Sequence, residues 1–366
     1  MKDLLIKPVV TVEAVEDALA DTVKQLPHVA KYAGEISKDI KRFYMVACGG
    51  GRHIDDGIQW WCKTIFGGGA KVQYETHDAA DFLSLPMIDT AGPETLVLLT
   101  SKSGSTKEAL AVGARLKAAN NGCKVVCFTQ SEKSKIVKYG MKSFYTGDTP
   151  QSFHAMLMLH HAFIAGFWAE REGWQDADKL LTSLTALPTA LAKAALVSQS
   201  RSKTFAAAFD PAGTTYFIGA GPMEFVGKAF GNCLMEEMLR LKINVFNSNH
   251  FFHSFVEMLP LKLADRIIIL RGVDNADWQT KEVHEFCVAK GFPAEVYDIR
   301  DYNTDGIDEL GRAMLGPIIV EAALKPMATL LSKKTKDLDE RKYMSKTPFW
   351  EGSEIVTEKP SFLKLN

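Results

Sequence analysis

Several features that would decide the class of this 366-residue chain at once are missing from it. No uninterrupted apolar run reaches membrane-spanning length, and the start, Met1-Lys-Asp-Leu-Leu-Ile-Lys-Pro8, has no apolar signal core, so a cytoplasmic protein without a membrane partner is expected. Neither sign of charge is in excess. The 43 basic and 44 acidic side chains leave a net charge of −1, which gives no electrostatic footprint for nucleic acid. Residues 1–40 are too few, and too poor in basic clusters, for a helix-turn-helix unit. Of the six cysteines (Cys48, Cys62, Cys123, Cys127, Cys233, Cys287), only Cys123 and Cys127 are close. Their gap inside an apolar strand pattern is not a zinc or redox spacing, so most of the six read as core residues of a reduced protein and no metal is expected. Both the Gly-x4-Gly-Lys-Ser/Thr loop and the GxGxxG turn of nucleotide-binding folds are absent. What remains, 46% hydrophobic and 24% charged, is a chain that can pack cores and is long enough for two domains.

What is present is a pattern that occurs twice. Phe43-Tyr-Met-Val-Ala47 reads as a buried strand, followed by Cys48-Gly-Gly-Gly51 and a helix over about 54–66. Thr215-Tyr-Phe-Ile218 is the second such strand, followed by Gly219-Ala-Gly-Pro222 and a helix over 223–242. Each is followed by further apolar runs separated by helices: 71–75, 95–99 and 125–128 in one half, 243–246, 266–270 and 294–299 in the other. This predicts an α/β fold of two parallel-sheet units related by internal duplication. The expected division is an N-terminal helical extension over 1–30, units over 31–170 and 171–346, and a C-terminal tail over 347–366. Between the halves, 152–209 reads as helix. Its paired His160 and His161 diverge by about 100° and cannot face one metal together.

The most specific passage is Leu99-Thr-Ser-Lys-Ser-Gly-Ser-Thr-Lys-Glu-Ala109, which leads from the 95–99 strand into a helical pattern over 106–119. A hydroxyl-rich loop opening a helix suits a phosphate: backbone N–H groups and the helix dipole favour negative charge, and Ser101, Ser103, Ser105 and Thr106 add O–H donors. Without a nucleotide signature, the expected ligand is a small phosphorylated molecule such as a sugar. The other reading is a strand–turn–helix in which Ser and Thr merely cap the helix.

Two passages carry acid–base potential. At 3.6-residue spacing Glu237 falls in line with Phe230, Cys233 and Leu234, on or beside the apolar face, whereas Glu236 meets water. A carboxylate turned inward is pushed toward the range of a general base, unless it is simply bonded to Arg240 or Lys242 at a helix edge. Downstream, Ser248-Asn-His-Phe-Phe-His-Ser-Phe-Val-Glu257 places His250 and His253 just after a strand, either as proton-transfer groups or as solvent-facing loop residues.

Together the Gly-Gly-Gly turn, the Ser-Lys-Ser-Gly-Ser-Thr loop, the Gly-Ala-Gly-Pro turn, Glu237, and His253 sixteen positions later resemble the SIS (sugar isomerase) family over roughly residues 30–346. Within it the chain is most similar to fructosamine-6-phosphate deglycases of the fructoselysine and fructose-aspartate type. That similarity rests on the Met-Glu pairs near Glu237, on Phe251-Phe-His253 followed by Glu257, and on Arg341-Lys-Tyr-Met-Ser-Lys346. The isomerase half of glucosamine-6-phosphate synthase is similar but more distant. The resemblance implies that Ser101, Lys102, Ser103 and Thr106 hold a phosphate, with Ser105, Gly50 and Gly51 beside them. It implies Glu237 as general base, His253 as the group assisting ring opening, and Lys346 as an active-site lysine. It further implies hydrolysis of a phosphorylated Amadori compound without metal or organic cofactor, in a homodimer or larger homo-oligomer with shared active sites. Rival expectations are a ketose–aldose isomerase or aminosugar-phosphate deaminase on the same scaffold, and a non-catalytic sugar-phosphate sensor. The chain departs from the family at Gly51, where relatives commonly carry serine, and at Asn249-His250 and Ser254-Phe255, which flank the Phe-Phe-His step.

Overall fold

Every apolar run singled out in the sequence overlaps a strand of a parallel sheet. Strands covered on both faces need no polar alternation, which is why they read as near-continuous hydrophobic stretches. The computed structural model describes residues 3–7, 10–260 and 266–335. Residues Lys24–Ala177 form an N-terminal unit; among the described residues, those up to 23 join those from 178 to 335 in a C-terminal unit. The first division falls inside helix α1 (Val12–Ser37). The tail expected over 347–366 lies outside the described residues.

The N-terminal unit holds β1 (Arg42–Ala47), α2 (Gly50–Phe66), β2 (Gln73–Asp78), α3 (Ala79–Ser84), α4 (Met87–Thr90) and β3 (Thr95–Thr100). It continues through α5 (Lys107–Ala119), β4 (Lys124–Thr129), β5 (Lys142–Tyr145) and α6 (Ser152–Glu172). The sheet order is β2-β1-β3-β4-β5, all parallel. Alternation sorts β1 onto two cores. Tyr44 and Val46 join Val97 and Leu99 against Phe82 of α3 and Val112 and Leu116 of α5. Phe43 turns the other way, its ring centroid 4.8 Å from that of Phe167 and 6.1 Å from that of Phe163, both on α6. Only β5, a four-residue edge strand, has no counterpart in the sequence reading.

The C-terminal unit contains α7 (Ala177–Val197), α8 (Gln199–Ala207), β6 (Thr214–Gly219), α9 (Pro222–Gly227), β7 (Lys242–Asn247) and α10 (Ser248–His253). After these come β8 (Arg266–Arg271), α11 (Asp277–Lys290), β9 (Glu295–Asp298) and α12 (Glu309–Thr335). Its order, β7-β6-β8-β9, is that of β2-β1-β3-β4, so the duplication expected from sequence is present in the topology. The glycines that close the first strand of each unit share one backbone conformation: Gly49 at φ 58°, ψ −130° and Gly221 at φ 51°, ψ −130°. That region is open only to a residue without Cβ.

The stretch over 152–209 is helical as expected, in three helices, α6, α7 and α8, the first ended by Gly173 in the left-handed conformation. One helix expectation is corrected. The continuous α-helix expected over 223–242 is only α9, followed by a π-helical stretch, Lys228–Glu236. Here Gly227 and Gly231 lie against the sheet, where a Cβ would stand 2.9 Å from Val245 and 3.0 Å from Ile243 respectively. Helices α7 and α12 reach bilayer-crossing length and mean hydropathy (1.5 and 1.4), yet 89% of the α12 window is buried, and α12 packs on α8 and α9.

Candidate active site

In a sheet ordered 2-1-3-4-5 the chain reverses direction of travel between β1 and β3, and the crevice at their carboxyl ends is where ligands collect. Two helices begin at that point. Gly49 stands at the N-cap of α2 with no side chain to cap it, and Gly50 and Gly51 form the first turn. Thr106 stands at the N-cap of α5, but its side chain makes no capping bond either. Its hydroxyl is spent on Ser101, Oγ1 to Oγ 2.9 Å. The capping reading of the Ser/Thr loop is therefore corrected, and the first N–H groups of two helices of 17 and 13 residues are left open to an anion.

The loop between them is built rather than slack. Ser101 N–H donates to Phe128 (3.0 Å), Gly104 N–H to the Ser101 carbonyl (3.0 Å), and the Lys102 carbonyl accepts from Gln130 N–H (2.9 Å). Ser105 donates through its hydroxyl (3.0 Å) and its N–H (3.2 Å) to Ser103 Oγ. Gly104, at φ 59°, lies where a Cβ would overlap Ser134. The result presents Lys102, Ser103 and Ser105 to solvent and keeps Ser101 buried. The structure thus brings Gly50, Gly51, Ser101, Lys102, Ser103, Ser105 and Thr106 to two neighbouring strand ends.

Glu237 and His253 belong to the other unit. Glu237 is half-buried and Glu236 exposed, as expected, but not for the reason expected. The 3.6-residue count fails across the π-helical stretch, where Glu237 N–H bonds Asn232 (3.0 Å) and Leu239 N–H bonds Leu234 (3.1 Å), each five residues back. Lys242, one of the basic partners considered for Glu237, donates instead to the Ala212 carbonyl (3.0 Å). His250 and His253 are exposed on α10, a helix rather than a loop, whose start is capped by Asn247 accepting from Asn249 N–H (3.0 Å). Glu237 precedes the first residue of β7 by five positions and His253 follows its last by six, on helical segments that flank the strand. Lys346 lies outside the described residues.

Sequence reasoning missed a buried chain in the N-terminal unit. His160, considered only as a metal ligand, has Nδ1 3.0 Å from Asp55 Oδ1 and Nε2 3.0 Å from Thr100 Oγ1. Its neighbour His161 sends Nδ1–H to the Leu157 carbonyl (2.9 Å), and burial drives its pKa down to about 4. The cysteines behave as core residues: burial pushes the Cys48 and Cys127 thiols up to about 12.

Comparison with known proteins agrees with this geometry. Residues 38–166 match the SIS domain model. The agropine synthesis conjugase of Rhizobium rhizogenes is 34% identical over 342 residues, which cover 91% of this chain and 94% of that protein. Among solved structures, a candidate phosphosugar isomerase of Bacillus subtilis superposes with a TM-score of 0.77 at 19% identity, over 90% of this chain and all of that one (100%). The C-terminal domain of glucosamine-fructose-6-phosphate aminotransferase from Francisella tularensis gives 0.68 at 16% identity, over 88% and 97%. At such identities the two structures show a shared fold. With the conjugase related along nearly its whole length, the chain belongs to the SIS domain family.

Proposed function

We propose that the protein is an enzyme acting on the carbon–nitrogen bond of a phosphorylated Amadori compound, a fructosamine 6-phosphate, releasing glucose 6-phosphate and a free amine. The observation that carries this reading is the pair of helix N-termini without side-chain caps at the β1/β3 switch point, lined by hydroxyls. There the C6 phosphate is held by Ser101, Lys102, Ser103, Ser105 and Thr106 with the N–H groups beside Gly50 and Gly51. Binding energy spent on that remote group fixes C1 and C2 for chemistry.

The reaction then needs two proton-transfer groups. His253 moves the ring-oxygen proton as the sugar opens. Glu237 removes a proton from C1, giving an enaminol, and returns one to C2, leaving an imine at C1. Water adds to that imine and the amine departs. A site that uses both takes His253 from a second copy, as the family resemblance implies, and the active form is a homodimer or larger homo-oligomer. Lys346 remains part of the proposal on resemblance alone.

The relative named a conjugase favours a second reading, in which the same steps run backward: glucose 6-phosphate and an amine condense to an imine with loss of water, and the imine rearranges to the Amadori product. A panel of phosphorylated Amadori compounds, with glucose 6-phosphate followed by a coupled dehydrogenase, tests the hydrolytic direction; incubation of glucose 6-phosphate with amino acids tests the other. Turnover of fructose 6-phosphate or glucosamine 6-phosphate with none of the adducts would replace both readings by an isomerase or deaminase. Binding of these phosphates without any turnover would leave a sensor.

A further inference from the structure

Under the anion-binding loop lie three polar side chains that this chemistry does not use. Thr100 ends β3 and directly precedes Ser101; His160 is on α6 and Asp55 on α2. They form one hydrogen-bonded chain, with Thr100 Oγ1 3.0 Å from His160 Nε2 and His160 Nδ1 3.0 Å from Asp55 Oδ1. Asp55 and His160 are completely buried (0% exposed) and Thr100 nearly so, at 2%. The imidazole packs edge-on against Phe128, centroids 4.6 Å apart. Hydroxyl, imidazole and carboxylate in this order are the parts of an activated nucleophile. A hydroxyl at 2% exposure, however, meets no substrate carbonyl, so the chain holds something in place rather than attacking it.

What it holds can be read from its neighbours. The carboxylate of Asp55 fixes the tautomer in which Nδ1–H donates to Asp55 and Nε2 accepts from the Thr100 hydroxyl. That bond sets the Thr100 rotamer and aims its methyl at the first turn of α2, where a Cβ on Gly51 would stand 3.1 Å from Thr100 Cγ2 and 3.1 Å from Ala47 Cβ. The chain therefore ties α2, β3 and α6 together immediately below the two open helix ends. We infer that Asp55, His160 and Thr100 are positioning residues that keep the N-termini of α2 and α5 in register for a single phosphate. Their arrangement also accounts for glycine at position 51: the space that a side chain would need there is filled by the Thr100 methyl. The inference rests on the phosphate reading of the loop given above. Burial pushes the Asp55 carboxyl upward against the pull of His160, consistent with a proton held tightly between the two.

The test uses the full-length protein with glucose 6-phosphate and inorganic phosphate as probes, measured by calorimetry, and amide hydrogen exchange of the ligand-free protein. Thr100→Val and His160→Gln are expected to weaken glucose 6-phosphate binding about tenfold and to speed exchange at 50–53 and 101–108, with β4 unchanged. Thr100→Ser, which keeps the hydroxyl, is expected to bind within about threefold of the unaltered protein. Gly51→Ser should weaken binding, and pairing it with Thr100→Ser should recover part of the loss. Nitrogen-15 imidazole spectra should show His160 Nε2 as an unprotonated acceptor that changes in Thr100→Val. Unaltered binding and exchange in Thr100→Val, or exchange raised evenly through the unit, would overturn the positioning role. Failure of the unaltered protein to bind either probe would overturn the phosphate reading, while the exchange and imidazole data would still decide whether the chain holds the turn.

Discussion

The two units are copies in topology and opposites in charge at one loop. Both run their strands in the same order, both leave the first strand through a glycine at ψ −130°, and both cap the helix after the second strand with an Asx side chain. Asp78 accepts from Ala80 N–H (2.9 Å), as Asn247 does from Asn249 (3.0 Å). They part after the third strand. Where the N-terminal unit has Ser101–Thr106, the C-terminal unit has Arg271-Gly-Val-Asp-Asn-Ala276, with Asp274 accepting from Ala276 N–H (2.8 Å); neither α5 nor α11 has a side-chain cap. Asp277 then opens α11 and pairs with Arg271 (2.7 Å) and Arg300 (2.6 Å). One helix start has carboxylates beside it; the other has hydroxyls and a lysine. A duplicated fold thus supplies two equivalent crevices, and the side chains at one loop make the first the candidate for a phosphate.

The largest expected effect breaks the division of labour between the units. Glu237→Gln should lower kcat by about 10²–10⁴-fold while leaving glucose 6-phosphate binding intact, because the anchor and the base reside in different units. Mixing inactive Glu237→Gln with inactive His253→Ala, followed by subunit exchange, should restore about a quarter of the wild-type activity, since half of the reassorted dimers carry one intact site of two. No recovery would place both groups in one protomer.

Importing the C-terminal charge into the N-terminal loop comes next. Thr106→Asp should weaken glucose 6-phosphate binding about 100-fold by calorimetry. The same change should raise stability by about 0.5–1 kcal/mol in denaturant titration, since aspartate caps the helix start that Thr106 leaves open. Loss of function with gain of stability is the signature that distinguishes an anion site from a structural turn.

Acid should separate the units more gently. His161 has a pKa of about 4 when folded against the ordinary 6.5 of the unfolded chain. Above pH 6.5 both states are neutral there; between 6.5 and 4 only the unfolded state takes the proton, so stability falls as pH drops through that window. The loss is at most about 3 kcal/mol, and His161→Phe should flatten it in unfolding curves recorded from pH 7 to 4. The smallest effect is expected from Asp274→Ala, which removes the hydrogen bond from Ala276 N–H and costs about 1 kcal/mol without creating a phosphate site, because Asp277 stays behind.

Much of this was legible in the chain. Buried parallel strands announce themselves as apolar runs, and glycine after Ala47 or Phe217-Ile218 marks a turn that only glycine makes easily. The hydroxyl loop was legible because its chemistry is local. Three things were not. The Asp55–His160 contact joins residues 105 apart, and nothing in the spacing of either helix points to the other. The short helix bearing His253 buries a single large apolar side chain, Phe251, which is too little for a helical period to show. The 228–236 stretch reads as ordinary α-helix because hydrophobic period is counted at 3.6, and a π-helical ladder keeps the composition while changing the count.

That last segment acts as a phase shifter. Upstream, glycines clamp the helix to the sheet; downstream, each side chain is turned by the one extra residue threaded into the ladder. Wound as ordinary α-helix with no residue removed, the same segment would turn Glu237 by roughly 100°, whereas deleting Asn232 would restore α-helical bonding and keep its aim. The direction of this acidic side chain is therefore set by how many residues the ladder upstream accommodates, and not only by the groups around it.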